Sequence, residues 1–188
     1  REPTTGSGSY YKGNGDSSIM TENEVKSIFL ETRAIMEGHF LLTSGLHSPL
    51  YVEKFNVLQH PKYTEKLCKA LAAMFMDAHI QTVVGPMTGG ILLAHETGKA
   101  LGTCAIFTER ENGHMTFKRG FKLVKGERVL IVEDIVTTGG SVKEVIDVVK
   151  ANGGIPVAVG MLVDRSGGKV DFGEVPYKAL LHLDVQTY

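Results

Sequence analysis

Hydrophobic and polar positions change rhythm repeatedly along this chain, and each change predicts an element. Val25, Ile28, Phe29, Ile35 and Met36 recur at helical spacing, with a Thr21-to-Glu24 capping box ahead of them. Pro61 stands where proline is favoured, at the start of a second helix carrying Leu67, Ala70, Leu71, Met74, Phe75 and Ala78. Thr82 to Gly85 reads as a short strand running into Pro86-Met87-Thr88-Gly89-Gly90, with a helix beyond it to about Leu101. Thr103 to Thr108 is the next strand, and Arg128 to Val132 is an apolar run of the kind buried on both faces of a parallel sheet. A stripe of Val142, Val145, Ile146 and Val149 follows at helical spacing. Ile155 to Val163 and Lys178 to Leu183 complete the strands. Strands alternating with helices predict an α/β fold with a mostly parallel sheet and right-handed crossovers.

Length and composition narrow this picture. A chain of 188 residues suits one domain, burying roughly 70% of its unfolded surface. Residues 1–19 are rich in Gly, Ser, Thr and Tyr without apolar periodicity. They read as an expression-derived remnant, with a native disordered arm as the alternative and Met20 as a natural start. Charged residues make up 22% with a net charge of −1, so no global basic field points to nucleic acid. No apolar run approaches the ~18 residues of a membrane span. Cys68 and Cys104 are too few for a disulfide framework and lie in apolar segments, which predicts buried thiols in a reducing, cytoplasmic compartment.

The densest chemistry lies at the end of the apolar run. Glu133 and Asp134 follow Val129 to Val132, and then come Ile135, Val136, Thr137, Thr138, Gly139, Gly140 and Ser141. Beyond the carboxyl end of a parallel strand, a glycine-rich turn and a helix N-terminus attract phosphate. The two acids would repel a phosphate placed beside them. A ligand with hydroxyls or Mg²⁺ at one end and phosphate at the other resolves the conflict, and a phosphorylated sugar is such a ligand. The plainer alternative is a strand-to-helix turn whose acids face solvent. A P-loop is excluded because no Gly-Lys-Ser/Thr follows, and a dinucleotide fingerprint because its glycine spacing is missing.

The segment 129–141 resembles the 5-phosphoribosyl-1-diphosphate (PRPP) motif of the type I phosphoribosyltransferases. The resemblance implies that family's fold, a central mostly parallel sheet flanked by helices with a small N-terminal hood. It also implies that Glu133 and Asp134 hold the ribose hydroxyls near Mg²⁺ while residues 135–141 bind PRPP, with the 5′-phosphate in the Thr/Gly loop. Mg²⁺ would be held mainly by PRPP rather than by protein side chains. The loop at Gly85–Gly90 would contact diphosphate through backbone donors, since the lysine some relatives place near Gly89 is absent. The hood would span about 20–60 with the C-terminal strand, and the core about 61–165.

Further upstream, Ser44-Gly45-Leu46-His47-Ser48-Pro49-Leu50-Tyr51 resembles the orotate phosphoribosyltransferases, although many of them carry lysine where His47 stands. Asp164-Arg165 extends the resemblance, which implies that Arg165, with Thr137, binds orotate through its carboxylate. The segment Glu109 to Arg128 is basic, with Gly113 and Gly120 as hinges, and reads as a long hairpin or mobile loop. As a lid, it would place Arg110, His114 and Lys118 against PRPP, Arg110 and Lys118 taking catalytic roles; otherwise it is a solvated ribbon. The implied activity is Mg²⁺-dependent transfer of phosphoribosyl from PRPP to orotate by a homodimer sharing its lid across the interface. The alternatives are a purine or other base phosphoribosyltransferase and a non-catalytic PRPP-binding regulator.

Overall fold

In a computed structural model, residues 19–41 and 45–184 are described. Helix α1 spans Glu22–Glu31 behind an N-cap at Thr21, where the Thr21 hydroxyl accepts from Glu24 N and the Glu24 carboxylate accepts from Thr21 N. Such caps satisfy donors that the first helical turn leaves open. The helix ends earlier than the apolar stripe suggests. Thr32 closes it, Arg33 turns at a positive φ of 56°, and Ala34 N bonds back to Phe29 O. Ile35 and Met36 therefore open a strand, β1 (Ile35–Leu41), rather than extending α1. Ile35 still buries into the same core as Val25 and Phe29, so the hydrophobic spacing continued although the backbone had changed.

Strand β1 pairs antiparallel with β2 (His47–Val52) in a separate two-stranded sheet. A short helix α2 (Phe55–Leu58) and helix α3 (Pro61–Ala73) follow. The helix predicted to reach Ala78 stops sooner and gives way to a 3₁₀ turn at Met76–Ala78. Strand β3 (Thr82–Pro86), α4 (Gly89–Leu101), β4 (Cys104–Glu111), β5 (His114–Phe117), β6 (Arg128–Val136), α5 (Gly140–Ala151), β7 (Ile155–Asp164) and β8 (Tyr177–His182) build the main unit. Its six strands lie in the order β5-β4-β3-β6-β7-β8, parallel except for β5.

Alternation along the central strands explains the layering. On β6, Leu130 and Val132 enter a core shared with α1, α3 and α4, whereas Val129 and Ile131 enter a second core under α5. All four are fully buried. That is why Val129 to Val132 reads as a continuous apolar run. The strand continues past it to Val136, carrying both acids at its C-terminal end between β3 and β7. A Leu130→Ala substitution should therefore cost about 2–5 kcal/mol through lost burial and a residual cavity, read as a lower midpoint in denaturant unfolding.

Candidate active site

The two acids leave β6 toward different neighbours. Glu133 joins Ile135 to Val142 in lining a cleft of about 200 Å³ at the start of α5. Asp134 turns toward α4, so close to it that a Cβ on Gly89 would sit 2.0 Å from Asp134 Oδ2. Gly89 is thus a steric requirement of the carboxylate. Gly85 and Gly90 serve compactness instead, since a Cβ on Gly85 would meet Gly90 O at 2.1 Å. A larger hollow of about 390 Å³ lies at the opposite end of the sheet, lined by Gln81 and Val124 to Glu127. Its Glu127 is occupied by Thr82 and by Val124 N, so it gathers no comparable chemistry.

Burying two adjacent carboxyls is costly, and the structure offsets it with specific donors. Ile135 N donates to Asp134 Oδ1 at 2.7 Å, and Asp134 N donates to Glu133 Oε1 at 3.0 Å. Lys54 donates to Asp134 Oδ1 at 3.2 Å, and its ammonium lies 3.0 Å from Oδ2. The approach to Oδ2 is a charge contact rather than a hydrogen bond, leaving that oxygen without a donor. Burial pushes the Glu133 carboxyl up to about 8, and the neighbouring Asp134 charge adds to the rise while Lys54 opposes it.

The glycine-rich turn takes the shape that a phosphate cradle needs. Gly139 caps α5 with a φ of 78°, and Val170 Cγ2 lies 2.6 Å from where its Cβ would stand. Two independent constraints, handedness and packing, therefore require glycine there. Thr137, Thr138, Gly140 and Ser141 are exposed, with hydroxyls and backbone amides free to meet an anion.

Arg165 follows β7 beside this turn, its backbone N bonded to Val136 O at 2.8 Å. The guanidinium is half-buried, and burial holds its pKa below the usual arginine value. Its Nε is buried without a hydrogen-bond partner, and no acid pairs with it among the described residues. A surface ion pair would have left Arg165 neutralised. Instead it offers an uncompensated planar cation to an incoming anion.

The basic segment resolves as a hairpin of β4 and β5 followed by a turn-rich return to β6. Three of its cations are held by acids of the same chain. Arg110 makes a two-pronged contact with Glu144 at 2.7 and 2.8 Å, and also donates to Gly113 O. Lys118 pairs with Glu111 at 3.0 Å, and Arg119 with Glu109 through two bonds of 2.8 Å. His114 is exposed on the hairpin, and its proximity helps to lower the Glu144 carboxyl behind the Arg110 hydrogen bond. Since Glu144 lies one turn into α5, Arg110 comes near the cradle but faces the helix. Arg110 and Lys118 are therefore not brought onto the acid pair here.

In the N-terminal motif, Ser48 is buried and bonded to Leu50, while His47 Nδ1 lies 2.6 Å from His39 Nε2. Ser44 falls outside the described residues, as does the proposed remnant up to residue 18. Lys54 is the residue at the acid pair that sequence reasoning missed. It precedes its partner by 80 positions and sits in no recognisable motif, so only the folded chain joins the two.

The phosphoribosyl transferase domain family matches residues 55–180. The orotate phosphoribosyltransferase of Desulforamulus reducens is 54% identical over 169 residues, covering 90% of this chain and 88% of that protein. That of Pelotomaculum thermopropionicum is 52% identical with the same coverage. Among solved structures, the orotate phosphoribosyltransferase from Aeropyrum pernix shares the fold at a TM-score of 0.69 and 24% identity, over 85% of this chain and 93% of that one.

The Glu133 environment makes stability depend on pH in a definite direction. A carboxyl that holds its proton more tightly when folded contributes stability that is complete below about pH 4.5 and lost as pH rises through about 8. The melting temperature should therefore fall across that window, and Glu133→Gln should flatten the slope. Calorimetry of both proteins at several pH values checks this; equal slopes would mean that Glu133 ionises normally.

Proposed function

The chain belongs to the orotate phosphoribosyltransferase family, and from that premise we propose that it transfers the phosphoribosyl group of PRPP to orotate. The products are orotidine 5′-monophosphate and diphosphate, which places the reaction in pyrimidine biosynthesis. The observation that carries the reading is Arg165, an unpaired, half-buried guanidinium whose backbone joins Val136 at the entry to the glycine-rich cradle. Orotate brings a carboxylate that a planar fork can bind through two charge-assisted bonds. A purine presents no such anion, which disfavours the base-specific alternatives.

The chemistry asks the protein mainly for positioning. Residues 137–141 hold the 5′-phosphate through backbone amides and hydroxyls, and Glu133 and Asp134 orient the ribose hydroxyls. The orotate ring nitrogen forms a bond to the anomeric carbon as the carbon–oxygen bond to diphosphate breaks, the electron pair leaving with diphosphate. The proton on that nitrogen passes to solvent or to the departing diphosphate, and the charge orotate already carries reduces the need for a dedicated general base. Catalysis then rests on alignment and on stabilising charge that develops in an oxocarbenium-like state.

We also infer Mg²⁺ dependence. Among the described residues no three His, Cys, Asp or Glu side chains cluster to hold a metal, and Mg²⁺ commonly uses one or two carboxylates with substrate phosphates. PRPP would hold the ion mainly itself, with Glu133 and Asp134 close to it through the ribose hydroxyls they orient. When bound, the ion neutralises diphosphate charge. Family membership further supports a homodimer acting in the cytoplasm with the β4–β5 hairpin reaching toward its partner. Among the described residues, no helix is long and apolar enough to cross a membrane.

Diphosphate release assayed with orotate, uracil and adenine tests the assignment. Orotate should be the substrate, and a clear preference for another base would overturn it. Arg165→Ala should raise KM for orotate at least tenfold, because a charged hydrogen bond contributes about 1.5–3 kcal/mol and a decade needs about 1.4. KM for PRPP should move much less. Equal loss for both substrates would make Arg165 structural.

Lid function predicts that Arg110→Ala and Lys118→Ala lower kcat and kcat/KM together, as happens when a contact forms mainly in the transition state. Mixing either variant with Asp134→Asn should then restore part of the activity if subunits exchange. Absence of restoration, with exchange shown by mass spectrometry, would rule out sharing across the interface.

A further inference from the structure

We propose that Lys54 is a positioning residue for PRPP, holding Asp134 in the orientation that receives the ribose hydroxyls; this rests on the transferase reading above. Its backbone is anchored independently of the contact. Lys54 O accepts from Val57 N and Leu58 N, both in buried residues, and Glu53 N donates to Ala34 O at 2.8 Å. The preceding carboxylate adds a bond, Glu53 Oε1 accepting from Phe55 N. The lysine stem therefore starts from a fixed point, and its ammonium reaches both oxygens of Asp134 at 3.2 and 3.0 Å.

Asp134 has little else to hold it. Its side chain is 3% exposed, Ile135 N bonds Oδ1 alone, and Oδ2 lies against Gly89 without a donor. No other cation among the described residues pairs with either acid, since Arg110, Lys118 and Arg119 are engaged by Glu144, Glu111 and Glu109. Removing Lys54 leaves a buried carboxylate free to rotate and uncompensated beside Glu133. A lysine side chain 35% exposed also lies at the water boundary of the site, where an arriving sugar meets the carboxylate. The same contact ties the segment after β2 to the central strand, so hood and core are joined at the acid.

The test measures PRPP binding by calorimetry with Mg²⁺ present and orotate absent, alongside steady-state kinetics and melting temperatures. Lys54→Met, which keeps the apolar stem, should weaken PRPP binding and raise its KM about tenfold, while KM for orotate changes less than about threefold. Lys54→Arg should recover most of the PRPP affinity. Comparable loss toward both substrates, or a Met variant that binds PRPP like the parent, overturns the positioning role. An Arg variant as weak as the Met variant at equal melting temperature does so as well. A parent that binds PRPP but does not turn over orotate would sink the transferase reading and leave Lys54 to be judged by binding alone. A parent that binds no PRPP overturns both.

Discussion

Two carboxyls stand side by side at the buried end of the central strand, and the surrounding structure compensates for that placement. Charge removed from water must be paired, hydrogen-bonded or protonated. All three solutions occur within a few ångströms. Asp134 is paired with Lys54, both acids accept a backbone amide, and Glu133 retains its proton toward neutral pH. Gly89 is small because the Asp134 carboxylate occupies the space of its side chain. Both carboxyls are thereby held in fixed orientations before any ligand arrives. Preorganisation of this kind suits a reaction in which the protein aligns groups rather than forming bonds itself.

The distribution of positive charge completes that picture. Three cations of the edge hairpin and its return are neutralised locally, Arg110 by Glu144, Lys118 by Glu111 and Arg119 by Glu109. These pairs are largely exposed and screened, so they organise the β4–β5 hairpin more than they stabilise the fold. Arg165 and Lys54 differ. One is desolvated without an acid, and the other is committed to the acid at the centre of the site. An anionic sugar phosphate and an anionic base can share one cleft only if positive and negative groups are segregated within it. Here the acid pair and then the cradle follow one another at the end of β6, and Arg165 follows the end of the neighbouring β7.

Much of this was legible in the linear chain because it depends on local order. The run Val129 to Ser141 holds strand, acids and phosphate turn in consecutive residues, and a strand followed by a glycine-rich helix start has few folded outcomes. Arg165 was legible through the family resemblance that Asp164-Arg165 carries, helped by its place at the end of an apolar strand. The boundaries of α1 were not, since a strand opening into the same core continues the hydrophobic spacing of the helix before it. The state of the lid cations was also hidden. Charge runs look alike whether they meet solvent, substrate or acids on a neighbouring helix, and Glu144 reaches Arg110 only after α5 has packed against β5.

What the sequence determined by itself was therefore the fold class, the acid-and-glycine motif and the cation at the end of β7, all properties of short contiguous segments. The tertiary structure decided which partners those groups have. Lys54 meets Asp134 across 80 positions, Gly89 yields its space to the same carboxylate, and Val170, in the segment after β7, closes on Gly139. The reason is physical: backbone propensity and periodicity act over a few residues, whereas the cost of burying a charge depends on every group the fold brings beside it.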